Sequence, residues 1–149
     1  MSDGKKIARV LEIAANAGEL QAAQHVAAQR LLKATGIRYP HDGCAITLSV
    51  LLQEAGINVP NTFQAILIKR VLQKRGWTVV PIGKQRPGDV GSTCGPSARH
   101  GRDHVYLVVK DVNHDEMVIA DNQAHAPHFR WASGRGKTPT KFFLRAPAA

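Results

Sequence analysis

The chain has 149 residues, 44% of them hydrophobic and 21% charged, which suits one globular domain with its own core and excludes a scaffold that depends on disulfides or a structural metal. The excess of 20 Lys+Arg over 11 Asp+Glu, a formal charge of +9, predicts attraction to a polyanion without selecting nucleic acid, anionic lipid or anionic wall polymer. No apolar run approaches the roughly 18–20 residues that cross a bilayer, and the polar start of the chain lacks the apolar segment of a secretory signal.

Apolar residues Ile7, Val10, Leu11 and Ala14 recur at helical spacing, and Gly18 interrupts the pattern. A second helix is predicted from about Glu19 to Thr35. Its stripe of Leu20, Ala23, Ala27 and Leu31 is small enough to lie close to a neighbour, and Gly36 is its stop. Residues 37–43 form a turn-rich stretch with Tyr39, Pro40 and Asp42 that leads into Cys44. Residues 45–55 read as a mostly buried helix with Cys44 in its first turn. A further helix is expected from Asn61, with Asn61 as N-cap and Gln64 three residues on, ending at Gly76. Its outer face is basic through Lys69, Arg70, Lys74 and Arg75.

After Gly76 the pattern changes to β-branched and aromatic residues: Trp77 to Val80, Val105 to Val112, Met117 to Ala120 after the turn at residues 113–116, and Lys141 to Leu144. Residues 84–102 are rich in Gly, Pro and Ser and too long for a simple turn, which marks them as mobile or functional. Helices first and antiparallel strands second is the α+β order.

Cys44 at a helix start has the position in which a thiol loses its proton most readily, because the helix dipole and a neighbouring imidazole both favour thiolate. His104, at the opening of the strand Val105 to Val112, is the candidate base, and a third polar group should orient its ring. The following hairpin returns Asp121, Asn122 and Gln123 to its side. If Val112 pairs with Met117, Asp121 or Gln123 shares the His104 face; a turn one residue longer or shorter puts Asn122 there.

Cys44, then residues 86–90 (Arg-Pro-Gly-Asp-Val), then residues 103–109 opening with Asp103-His104, and finally residues 118–122 ending in Asp121-Asn122 resemble, in order and spacing, the papain-like cell-wall hydrolases of the NlpC and CHAP type. The resemblance covers about residues 37–123. It implies a papain-like α+β fold: one domain over 1–149, with a leading helical pair at 1–36, a catalytic core at 37–123 and a C-terminal loop and strand at 124–149. It also implies a cysteine peptidase or amidase that cleaves amide bonds of peptidoglycan peptides through a thioester on Cys44. His104 would be the general base and Asn122 the orienter, with no cofactor and no catalytic metal. The backbone N–H of Cys44 is the natural oxyanion donor, with Tyr39 as a candidate second.

Cys94, His100 and His104, with His125 and His128 nearby, could ligate a metal, but the spacing lacks a tight Cys-x2-Cys element. Cys94 could instead be a redox partner of Cys44. Arg130, Arg135, Lys137, Lys141 and Arg145 could join the basic helix in binding nucleic acid, yet aromatics make up 5% of the chain and none is interleaved with them as a stacking platform. The expectation is therefore a monomer without nucleic-acid partner or membrane insertion, made in the cytoplasm and delivered to a wall without a signal peptide. A non-catalytic module binding anionic wall polymer or nucleic acid is the alternative.

Overall fold

The computed structural model describes residues 2–148. A short 3-10 turn precedes α1 (Ile7–Ala15), followed by α2 (Ala17–Thr35), α3 (Cys44–Glu54), a second 3-10 turn (Ala65–Leu67) and α4 (Ile68–Lys74). The strands are β1 (Thr78–Val80), β2 (Val90–Ser92), β3 (Val105–Asp111), β4 (Glu116–Ala120), β5 (His128–Trp131) and β6 (Phe142–Arg145). They form one antiparallel sheet in the order β1-β6-β2-β3-β4-β5. The architecture is α+β. No helix among the described residues is long and apolar enough to cross a membrane.

The division between α1 and α2 is made by Asn16 rather than Gly18. Its side chain accepts the Glu19 N–H at 3.0 Å and caps α2, so Gly18 lies inside the helix. The predicted α2 stripe of Leu20, Ala23, Ala27 and Leu31 is buried, and Gly36 ends the helix in the left-handed conformation. Cys44 to Leu52 are all buried, so α3 is the central helix of the core. The fourth helix starts later than expected. Asn61 caps nothing, because its Oδ1 accepts from Arg30 Nη1 and Gln53 Nε2, both at 3.0 Å, and residues 60–64 stay irregular.

Alternation along β3 sets the two faces of the sheet. Val105 and Leu107 join the helices in the larger core, with Val90, Ala120 and Leu144. Tyr106 and Val108 point the other way, into a smaller cluster with Met117, Ile119 and Phe143. Cross-strand from Tyr106 stands Gly91; a Cβ there would lie 2.2 Å from the ring, so only glycine admits the close approach.

Two strands lie outside the predicted set. Within the Gly/Pro-rich stretch, β2 is held by β3 and β6. At its start, Asp89 accepts the Arg86 N–H and both arms of the Arg145 fork at 2.8–3.0 Å, which is a structural role. At the edge, β5 pairs with β4. The C-terminal strand runs from Phe142 rather than Lys141 and sits inside the sheet, between β1 and β2.

Candidate active site

Cys44 is the first residue of α3, where backbone N–H groups lack intrahelical partners. The turn before it is tightly folded. The Tyr39 ring passes so close to Gly43 that a Cβ there would approach it to 2.9 Å. The Tyr39 hydroxyl is bonded to Thr47 Oγ1 at 2.8 Å, and Thr47 in turn donates to the Gly43 carbonyl at 2.7 Å. Tyr39 is thus engaged in holding the helix start and does not line the cleft as an oxyanion donor.

Thr93, the residue after β2, fixes His104. Its Oγ1 accepts the His104 N–H at 2.9 Å, and its own N–H donates to the His104 carbonyl at 3.0 Å. The Tyr106 ring stacks beside the imidazole at 5.9 Å. Cys44 and His104 both line an open cleft of about 380 Å³, with Asp42, Asp103, Asn122 and Gln123 among its other walls.

The imidazole is oriented by Asp121 and not by Asn122. His104 Nε2 lies 2.8 Å from Asp121 Oδ2. The other carboxylate oxygen accepts from His128 Nε2 at 2.9 Å and from the Gln123 N–H at 2.8 Å. Asn122 points elsewhere, donating through Nδ2 to the Pro40 carbonyl at 2.7 Å. It therefore ties the turn before Cys44 to the β4–β5 turn, a bracing contact across the cleft.

Register explains the substitution. The hairpin turn is tighter than a Val112–Met117 pairing would make it, since the Val112 N–H donates to the Glu116 carbonyl. Next to it Asp111 pairs with Met117 and Lys110 with Val118, a register that, carried on, would bring Asn122 to the His104 side. An irregularity at Val109 shifts the ladder by one residue, so that Val108 pairs with Ile119 and Leu107 with Ala120. One step further Asp121 falls opposite Tyr106, on the side of His104.

Electrostatics follow from burial. Burial pushes the Asp121 carboxyl up, but hydrogen bonds from His104 and His128 and the charge of both rings outweigh it and hold the group well below the usual carboxylate range. An ionised carboxylate only accepts, so both facing Nε2 atoms carry protons. His104 is left with Nδ1 as its basic nitrogen. Burial pushes the Cys44 thiol up to about 11, against backbone hydrogen bonds from Val105 and Ala45 that favour thiolate. This reverses the expected depression at a helix start: the Cys44 residue is 7% exposed, and its lost solvation outweighs those hydrogen bonds.

One residue of this site, Gln24, escaped the sequence reading, and His128 figures there only beside a possible metal site. Gln24 of α2 donates through Nε2 to the carbonyls of Asp121 and Ala124 at 2.8 and 2.7 Å, clamping the turn that carries the carboxylate. Its signal was a glutamine one position after Ala23, inside the small apolar stripe. His128 belongs to β5, whose four residues were too few for a periodicity.

The metal reading and the disulfide reading find different placements. Among the described residues no group of three or more His, Cys, Asp or Glu is placed to hold a metal ion. Cys44 and Cys94 are both free and buried. The supposed C-terminal basic cluster is dispersed: Arg130 is buried over the Tyr106 ring and Arg145 is paired with Asp89, as Arg75, just past α4, is with Asp3. Comparison with known protein families, curated proteins and solved structures finds no match to this chain.

Proposed function

We propose that this protein is a papain-like cysteine hydrolase that cleaves amide bonds of peptidoglycan peptides, as amidase or endopeptidase. The observation that carries the reading is the His104–Asp121 contact at 2.8 Å in a cleft that also holds Cys44 at a helix start. A buried, ionised acid that fixes one ring nitrogen as donor leaves the other as base, which is what a thiol nucleophile requires of its partner.

In this mechanism His104 Nδ1 takes the Cys44 proton as the sulfur attacks the amide carbonyl. The oxyanion forms against the N–H groups at the start of α3. Collapse breaks the C–N bond, the departing amine takes the proton from the imidazolium, and a thioester remains on Cys44. Water then attacks the thioester with His104 again as base, and carboxylic acid leaves as the thiol regains its proton. Asp121 stays ionised throughout and stabilises the imidazolium. Because the resting thiol is held neutral, proton transfer accompanies attack rather than preceding it. The +9 charge favours residence on an anionic wall and does not choose the bond.

A second reading, a basic binding module, is favoured by the free cations along α4, Lys69, Arg70 and Lys74, which line one hollow without an acid. Incubation with purified peptidoglycan separates the two. The hydrolase releases soluble fragments with new amino groups and loses this on Cys44→Ala substitution. Release of nothing, or equal release by the Cys44→Ala protein, overturns the hydrolase; salt-sensitive binding retained by that variant then identifies the module.

A further inference from the structure

The cleft at Cys44 and the hollow beyond it carry different charge. On the side of His104, Asp42 and Asp103 stand in the wall together with the amides of Asn122 and Gln123, and no Lys or Arg does. A narrow hollow of about 60 Å³ shares Asp42, Cys44 and Asp103 with this wall, adds Arg99, and is closed at its far end by Phe63, Ala65 and Ile66. Ala65 and Ile66 are also walls of the next hollow, which holds about 500 Å³. Its apolar surfaces come from Ile66, Pro96 and Phe142, its cations from Lys69 and Lys141, and no carboxylate lines it. Cys94 lies in this hollow.

Lys69 is held differently from three arginines of this protein. Arg75, Arg99 and Arg145 are each paired with an aspartate. Lys69 instead places its ammonium 4.8 Å from the centroid of the Phe142 ring. An aromatic face attracts the cation but leaves its N–H donors free for an anion. Lys141 is anchored by its own backbone N–H, which donates to the Ser92 carbonyl at 2.7 Å, so its side chain starts from a fixed point on the rim. An apolar floor under two cations without an acid complements an aliphatic chain that ends in a carboxylate.

We propose that the hollow between Lys69 and Lys141 is a specificity subsite for the free carboxylate that ends a peptide, on one side of the amide presented to Cys44. The proposal rests on the hydrolase reading for the role of the subsite, while the binding itself does not require turnover. It assigns the protein to peptides with a free terminal carboxylate in preference to the same peptides amidated there.

Calorimetry on the full-length Cys44→Ala protein tests the subsite with two probes, a soluble wall stem peptide as the free acid and the same peptide as its terminal amide. The free acid should bind about 5- to 10-fold tighter at low salt, as expected for two exposed cations acting together, and the ratio should shrink as salt rises. The Lys69→Gln, Lys141→Gln double variant should bind both probes equally, with an unchanged circular dichroism spectrum. Equal affinities in the parent protein, no binding of either probe, or a preference that survives the double substitution overturns the subsite. Turnover by the native protein reads the other question: cleavage of both peptides at equal efficiency leaves the hydrolase standing and removes the subsite, whereas discrimination in binding without any cleavage removes the hydrolase and leaves the subsite.

Discussion

His104 and Asp121 meet at 2.8 Å because the β3–β4 ladder contains one residue more on one strand than on the other. The extra residue, Val109, reverses which of the two adjacent side chains, Asp121 or Asn122, faces the imidazole. A one-residue shift moves every side chain of a strand to its opposite face, so a single irregularity selects a charged orienter over a neutral one.

That relationship predicts unequal consequences for neighbouring substitutions. Under the proposed hydrolase function, Asp121→Ala should lower kcat/KM on a wall peptide by about 10²- to 10⁴-fold, since it removes the group that fixes the ring and stabilises its protonated form. Asn122→Ala removes the bond to the Pro40 carbonyl and should cost less than about tenfold. Steady-state kinetics of the two variants decides the matter, and the reverse order would restore Asn122 as the orienter.

Gln24 links the leading helices to the site, although it lies 20 positions before Cys44. Gln24→Ala leaves the carbonyls of Asp121 and Ala124 without this donor and should cost about 1–3 kcal/mol in stability. Urea denaturation measures the loss. An unchanged midpoint would show that the clamp contributes nothing.

The Cys44 thiol gives a pH dependence with a defined sign. Its folded pKa, pushed up to about 11 by burial, lies above its ordinary value, so the unfolded chain loses this proton first as pH rises. Stability associated with the thiol is therefore complete below the unfolded pKa of about 8.5 and is lost as pH climbs towards the folded value. Iodoacetamide alkylation of the resting protein should accelerate continuously from pH 7 to pH 10. A plateau already reached below pH 8 would reveal a thiolate stabilised beyond what burial allows.

Packing around β2 supplies a prediction away from the chemistry. Gly91→Ala drives a methyl group into the Tyr106 ring, which is fully buried against Phe143 and bonded through its hydroxyl to Thr140. A ring so enclosed cannot yield, and the substitution should destabilise the fold by about 1–3 kcal/mol. Thermal unfolding of the variant would expose the error of this account if the melting temperature stayed unchanged.

Several elements were legible because their signals are local. The α2 stripe repeats an apolar pattern over enough residues to define a period, and the buried helix after Cys44 and the long β3 are unbroken apolar runs bounded by turn residues. Asn61 shows how a local signal fails: its capping sequence is present, but Arg30 and Gln53 occupy the side chain first. Likewise β2 and β5, of three and four residues, are strands because neighbours supply their hydrogen bonds.

By itself the amino-acid order determined an α+β chain, the placing of Cys44 at a helix start and of His104 at a strand opening, since caps, glycines and apolar periods act over a few residues. Tertiary structure alone decided that Asp121 holds the ring, that His128 and Gln24 hold Asp121, and that the thiol is raised rather than lowered. These depend on strand register, on contacts between distant segments and on solvent exclusion, quantities that exist only once the chain has closed on itself.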